Sequence, residues 1–454
     1  MDELAALDGA IEGDVLSPDS PGYGTVRAPA FAQYAAVRPE LVVRCKTPAD
    51  IAEAIGFAGR RRLDLAVRAG GHSFAGRSST RGLLVDVSPM NQVILEDGIA
   101  TVGAGALLGE IYDCLEAEGR TIAAGACPTV GIAGLTLGGG LGILGRRYGL
   151  TADQLLEAEI VLADGRVAVC NENENDDLFW ALRGAGTEGF GVVTRFAFKT
   201  VPAHPLTCFL LRWPYTQATT LVDAWQSWAP QAPDELAASL LLNASADPGR
   251  APVVTLFGAM IAEKEEAETA IDELVVRAGA EPSSSTLQHL PSGAAKRYLA
   301  EHAPGAERTI AATAPFMFSR SEFFRRAMPR EAITALVEHL VKDRIAGQAR
   351  ELDFTPWAGA YNRVAADATA FVHRVERFLL KHAVVLDDDA GSDDLAAARG
   401  WLEDSWQVVH PWGSGGVFPN FADAEPADPA RAYFGANRDR LAQIRAKFAW
   451  PVTS

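Results

Sequence analysis

Two glycine-rich turns constrain this chain more than any other feature. The first, Arg68-Ala69-Gly70-Gly71-His72-Ser73, follows the apolar run Leu65-Ala66-Val67. The second, Gly125-Ala126-Cys127-Pro128-Thr129-Val130-Gly131, opens a stretch of Gly, Ala, Thr and Leu that continues to Gly142. Little side-chain bulk stands beside either turn, so a large flat ligand can approach the backbone closely. Each turn also holds one nucleophile, His72 or Cys127. Either residue alone reads as a buried structural one. Set together in such turns they read as two covalent anchor points for a single cofactor. The N–H groups along Gly125–Gly142 suit a pyrophosphate.

The chain's 454 residues exceed one ordinary core, so about two domains are expected. Its net charge of −17 should repel nucleic acid and anionic membrane surfaces. Cys45, Cys114, Cys127, Cys170 and Cys208 form no C-x-x-C pair, so neither a disulfide framework nor a zinc site is expected. The first twenty residues are acidic, without a basic leader or a long apolar run, and no stretch reaches membrane-spanning length. The expectation is a cytoplasmic globular protein with a small-molecule substrate, no metal, and neither a nucleic-acid nor a membrane partner.

Local signals place a strand at Leu41–Cys45 and a helix from Pro48 to Arg62, with Thr47 as N-cap and Pro48 in its first turn. Further strands are expected at Leu65–Val67, Gly82–Val87, Ala100–Gly103 and Gly189–Phe198, and a helix at Leu107–Glu118 ending at Gly119. Asp164-Gly165 marks a hairpin. Pro202 and Pro205 bracket a domain boundary. Beyond it lie expected strands at Leu206–Arg212, Leu236–Asn243, Val253–Met260, Glu351–Val364 and Phe378–Leu386. Helices are expected at Thr220–Trp228, Glu265–Ala278 and Arg330–Arg344. That order predicts an α+β fold with a large antiparallel sheet backed by helices on one face. Ala430–Phe448 reads as one amphipathic helix. Gly140, Gly142 and Gly145 match G-x-G-x-x-G, but Gly149 interrupts the long helix a dinucleotide fold needs there, and Asp164 belongs to the hairpin.

With these motifs in place, the chain resembles the FAD-linked oxidases of the vanillyl-alcohol oxidase and p-cresol methylhydroxylase superfamily, above all the berberine-bridge-enzyme-like members with doubly attached FAD. The matching text runs through Val67–Gly76, Gly125–Asp153, Glu159–Gly165, Asp176–Gly186, Phe190–Thr194 and Tyr433–Leu441. The resemblance implies an FAD-binding domain over residues 1–200, completed by 417–454, and a substrate domain over 201–416. It implies that His72 carries the 8α-methyl carbon of the flavin and Cys127 its C6. It further implies FAD contacts from Arg68, Ala69, Gly70, Gly71, Ser73, Gly76, Gly125, Thr129, Val130, Gly131, Gly134, Leu135, Gly138, Gly139, Gly140, Gly142, Tyr148, Asp153, Gly189, Gly191, Val192, Val193 and Asn437. Small Ala133 and Gly134 near Cys127 leave room for O2 to approach.

Sugar- and alcohol-oxidising relatives carry Asn-Tyr where this chain has Asn420-Phe421, and that tyrosine removes the substrate proton. Phenylalanine accepts no proton, so the base must lie elsewhere. Glu351 and Asp353, two residues apart in a strand, share one face and are the replacement candidates. Asn420 would orient substrate, and Tyr361 is either active-site wall or core. The implied activity is hydride transfer to flavin N5 from a C–H next to oxygen or nitrogen, in a secondary metabolite, hydroxylated compound or cyclic amine, with O2 reduced to H2O2. The alternatives are a sugar or oligosaccharide oxidase, a flavin-containing drug-binding protein with little turnover, and a dehydrogenase that passes electrons to another acceptor.

Overall fold

The computed structural model describes residues 3–302, 315–422 and 428–448. The expected terminal region therefore lies partly outside the described residues, at 423–427 and 449–454.

Local chemistry explains the first βα unit. Thr47 Oγ1 accepts the Asp50 N–H at 3.2 Å while the Asp50 carboxylate accepts the Thr47 N–H, closing a capping box on helix Pro48–Arg61. Arg62, in the left-handed region at φ 55°, ends the helix. Ile51, Ala54, Ile55 and Ala58 recur at helical spacing and are buried. They pack over a four-stranded sheet of Asp14–Leu16 (β1), Leu41–Arg44 (β2), Leu65–Arg68 (β3) and Leu83–Asp86 (β4), in the order β1-β2-β4-β3. Both β2 and β3 run parallel to β4.

A second, antiparallel sheet joins Val93–Glu96 (β5), Ile99–Gly103 (β6), Leu155–Val161 (β8), Val167–Asn171 (β9) and Val192–Lys199 (β10), in the order β5-β6-β10-β8-β9. The Asp164-Gly165 turn sits between β8 and β9, with Gly165 at φ 83°. Short Arg120–Thr121 (β7) pairs with Val201–Pro202 (β11). One apolar core unites these two sheets with Tyr433, Phe434, Leu441 and Ile444 from the C-terminal helices.

The third large unit is a seven-stranded, wholly antiparallel sheet. It comprises Leu206–Pro214 (β12), Leu236–Ala244 (β13), Val253–Met260 (β14), Ser284–Leu290 (β15), Phe316–Phe324 (β16), Gln348–Pro356 (β17) and Phe378–Leu386 (β18), in the order β15-β12-β14-β13-β17-β18-β16. Helices Ala218–Trp228, Lys264–Ala278, Arg330–Val341 and Ser392–Val409 cover one face, burying Trp225, Leu240, Leu352, Phe354 and Leu380 in a separate core. Because strand side chains alternate, Glu351, Asp353 and Lys381 fall on the opposite face.

Several expected elements are shorter than the sequence pattern implies: the helix expected at Arg330–Arg344 ends at Val341, and the strand expected from Gly189 starts at Val192. The strand expected from Glu351 to Val364 ends at Pro356. Ala358 and Gly359, at φ 112° and 63°, then turn the chain into a single helical turn at Ala360–Arg363. The C-terminal helix breaks into Pro429–Phe434 and Arg438–Lys447, because Gly435 sits at φ 48°. Strand β15 is mostly exposed and polar, which hides it from any apolar pattern. The G-x-G-x-x-G match opens only the turn Gly145–Tyr148, after which Gly149 adopts φ 92°.

Candidate active site

A cavity of about 1890 Å³ opens where both glycine turns meet the face of the seven-stranded sheet opposite those four helices, beside helix Ser292–His302. Ordinary small-ligand pockets hold roughly 300–1,000 Å³, so this space accommodates a large cofactor together with a substrate. Ala69, Gly70, Gly71, His72 and Ser73 line it from the first turn. Cys127, Thr129, Val130, Gly131, Gly134 and Leu135 line it from the second, and Gly189, Gly191, Val192 and Val193 from the segment leading into β10.

The two turns touch. A Cβ on Gly70 would fall 2.4 Å from the Gly131 nitrogen, and one on Gly131 would fall 2.4 Å from the Gly70 nitrogen. Only glycine at both places permits this approach. At the same wall, the Thr129 hydroxyl lies 3.1 Å from His72 Nε2 and 3.4 Å from Cys127 Sγ. One hydroxyl thus bridges both candidate tethers. Burial pushes the His72 pKa down, favouring the neutral, nucleophilic imidazole.

Several residues that the sequence assigned to the cofactor are absent from the cavity wall. Arg68 turns its guanidinium to the carbonyls of Ser78 and Val26. Asp153 is held by Arg374 at 2.7 and 2.8 Å. Asn437 donates to the Ala366 and Thr369 carbonyls. Tyr148 packs with the apolar cluster around Ala123 and Leu206. Gly76, Gly138, Gly139, Gly140 and Gly142 are glycines because other protein atoms crowd them. A Cβ on Gly142 would meet Ala124 O at 2.2 Å, one on Gly140 the Thr151 hydroxyl at 2.4 Å, and one on Gly76 the Tyr34 ring at 2.3 Å. Gly125 lends its carbonyl to the Tyr112 hydroxyl at 2.6 Å. The glycine run after Leu137 is therefore a packing device behind the cavity.

The catalytic candidates also separate. Glu351 lines the cavity and is 8% exposed. Asp353, on the same face, accepts from the Thr355 hydroxyl and pairs with Lys381 at 3.5 Å. Tyr361 lies in the core, stacked on Trp357, with its hydroxyl donating to Gly142 O at 3.1 Å. Asn420 reaches the cavity but spends both ends of its amide. Its Oδ1 accepts the Gly140 N–H, and its Nδ2 donates to Gly134 O at 2.9 Å. It clips the Pro419–Phe421 turn to the glycine segment, and Gly138 must lack a Cβ to admit it.

Three wall residues escaped the sequence reading. Lys381 sits over the Phe421 ring, its Nζ 5.1 Å from the centroid. Phe74 meets Phe421 edge-on. At another part of the wall, burial pulls the Lys296 pKa down to about 8 while Glu116, 2.8 Å away, opposes the shift. A lone lysine within the apolar run Phe378–Leu386 was the available signal for Lys381. Its significance depends on facing Asp353 across two strands, which only the register shows.

Among the described residues, no helix is long and apolar enough to cross a membrane, and no cluster of three His, Cys, Asp or Glu could hold a metal ion.

An FAD binding domain model matches residues 39–171, which include both glycine turns. The FAD-linked oxidoreductase YvdP of Bacillus subtilis (strain 168) is 30% identical over 443 residues, covering 96% of this chain and 95% of its own. (R)-6-hydroxynicotine oxidase of Paenarthrobacter nicotinovorans is 32% identical over 298 residues, covering 61% of this chain and 63% of its own. The solved structure of Physcomitrella patens BBE-like 1 superposes with a TM-score of 0.86 at 26% identity, covering 99% of this chain and 97% of that one. The family model and the relatives identify an FAD-dependent oxidoreductase. Within that class, the chain belongs to the FAD-linked oxidoreductases, and its fold is similar to that of BBE-like 1.

Proposed function

We propose that the protein is an oxidase that takes a hydride from a C–H next to oxygen or nitrogen of a small molecule, with FAD attached through His72 and Cys127. The observation that carries this reading is the single Thr129 hydroxyl within reach of both tether side chains, at the wall of a cavity large enough for FAD plus substrate. With Nε2–H donating to Thr129, the His72 Nδ1 lone pair is the one available for bonding to carbon. FAD supplies the hydride acceptor, and O2 then takes the two electrons with two protons to leave H2O2. We divide the chain into an FAD unit of residues 1–200 completed by 417–454, and a substrate unit of 201–416. The two separate apolar cores support that division.

The chain's own residues have distinct tasks. Glu351 accepts the proton of the substrate O–H or N–H, because Phe421 has no oxygen with which to do so. Asp353 holds Lys381 in place, and Asn420 fixes Phe421 against the glycine segment. Ala133 and Gly134 leave the cavity open beside Cys127. A Cβ on Gly134 would meet nothing within 4 Å. An amine substrate, oxidised from its neutral form, tolerates the loss of a strong base. The relative that oxidises (R)-6-hydroxynicotine supports including that class.

Intact mass under denaturing conditions tests the attachment. One FAD added to the chain, with a yellow acid-precipitated pellet, is the expected result. His72→Ala and Cys127→Ala should each keep FAD through the other link, and the double variant should lose it on precipitation. Apoprotein mass with a colourless pellet would overturn the double attachment.

A further inference from the structure

We propose that Lys381 is the substrate-binding cation of this site, holding an anionic oxygen, carboxylate or phenolate, on an aromatic substrate. The proposal rests on the oxidase reading above and names the substrate class for that same site.

Strand β18 turns Lys381, Ala383 and Val385 toward the cavity side. In register, Lys381 faces Asp353, Ala383 faces Glu351, and Val385 faces Met317 of β16. Lys381 and Glu351 are thus diagonal neighbours on adjacent strands, a spacing within reach of long side chains. Glu351, Lys381, Met317 and Val385 all line the cavity. Among the described residues, this patch of sheet thus carries the Lys381 ammonium with its Asp353 counter-charge, and Glu351 beside them as the proton acceptor.

Lys381 is held without being used up. Its side chain is 14% exposed, and its polar partner among the described residues is Asp353, at 3.5 Å. An ammonium has three N–H donors, of which one carboxylate contact engages one. The Phe421 ring adds a cation–π contact that favours the charge without consuming a donor. A tyrosine at position 421 would offer this cation an oxygen; phenylalanine leaves that role to a ligand. A strongly hydrated ammonium placed in such a site is stabilised most by an anionic oxygen.

The surface next to it selects for a flat apolar body. Phe31 stacks on Phe74 at 4.9 Å, and Phe74 meets Phe421 edge-on at 5.7 Å. Phe31 also approaches His72 edge-on at 6.2 Å. This aromatic wall leads from the His72 tether to the Lys381 ammonium. An aromatic substrate extends the wall and places its anionic oxygen at Lys381 and its reacting carbon near the flavin. A carbohydrate would meet rings where it needs a row of hydrogen-bonding groups.

Calorimetric titration of the purified holoenzyme decides the matter, using benzoate, 4-chlorophenol, benzyl alcohol and benzylamine as probes. Wild type, Lys381→Met and Lys381→Arg are compared, with folding checked by thermal melting and flavin content read separately from visible absorption. We expect wild type to bind benzoate or the phenolate more tightly than benzyl alcohol. Lys381→Met should weaken that anion at least tenfold and change benzyl alcohol less than twofold, while Lys381→Arg keeps most of the affinity. Phenolate binding should strengthen as pH rises toward the phenol pKa, whereas benzoate binding stays flat above about pH 5, which separates the two sources. Unchanged anion affinity in Lys381→Met, an equal loss for benzyl alcohol, or preference for benzylamine in wild type would overturn the proposal. Absence of flavin from the purified protein would instead overturn the oxidase reading, and the calorimetric comparison would still report on Lys381.

Discussion

The Asp153 carboxylate, for which the resemblance implies a cofactor contact, is paired with Arg374. The Arg374 guanidinium grips both its oxygens, at 2.7 and 2.8 Å, with side-chain exposures of 1% and 8% for arginine and aspartate. Arg374 also donates to Tyr361 O, Thr369 Oγ1 and Phe371 O, so it ties the Val364–Arg377 loop to the turn before β8. Asp153→Asn keeps the shape but turns one acceptor into an N–H2 group aimed at another N–H donor, and it strips the buried guanidinium of its counter-charge. Breaking one partner of a buried pair costs about 3–5 kcal/mol. At about 2 °C per kcal/mol for a large chain, that is a fall in apparent Tm of roughly 6–10 °C. The assay is thermal melting alongside the flavin-to-protein absorbance ratio at 20 °C. The expected result is a lower Tm with an unchanged ratio. Because the two residues share one interaction, adding Arg374→Met should cost much less than its single effect. A variant with wild-type Tm that loses flavin would refute the reasoning and return Asp153 to the cofactor.

Gly131→Ala should force apart the two turns that Gly70 and Gly131 bring together. We expect an overpacking cost of about 1–3 kcal/mol and loss of most bound flavin, read from absorbance, whereas an alanine variant with full flavin would show that the close approach is dispensable. Glu351→Gln should retain flavin yet slow anaerobic flavin reduction by a substrate about 10²–10⁴-fold, and an unchanged rate would remove Glu351 as the proton acceptor. Burial pulls both His373 and His382 down to about 3, well below their unfolded value near 6.5. The unfolded chain therefore binds more protons between those values, and stability falls as pH drops through 6.5. Each histidine then costs about 2 kcal/mol at pH 5, and a denaturation midpoint that is flat from pH 7 to 5 would contradict this burial.

What the sequence revealed, and what it withheld, follows the range of the interactions involved. The Thr47-Pro48 helix start and the Asp164-Gly165 hairpin were legible because their chemistry closes within three residues. The early end of β17 was not, because the chain turns at Ala358, a non-glycine residue at positive φ that no local rule selects. The glycines show the same limit more sharply. A glycine announces that something comes close, without saying what. Gly131 and Gly142 carry the same signal and lie in one segment. The first opens onto the cavity against Gly70, while the second is pressed against the Ala124 carbonyl. Reading both as a phosphate cradle was consistent with the sequence, and only the packing separates them. The substrate side depends still more on distant parts of the chain. Glu351 and Asp353 come from the family resemblance at Phe421 together with strand alternation, which sets them on one face. That one of them pairs with a cation, and that this cation stands over the Phe421 ring, requires β17, β18 and the Pro419–Phe421 turn to be placed together. On the proposed reading, phenylalanine at position 421 leaves no ring oxygen beside Lys381, so proton transfer falls to Glu351 and the cation is left for the substrate's anionic oxygen.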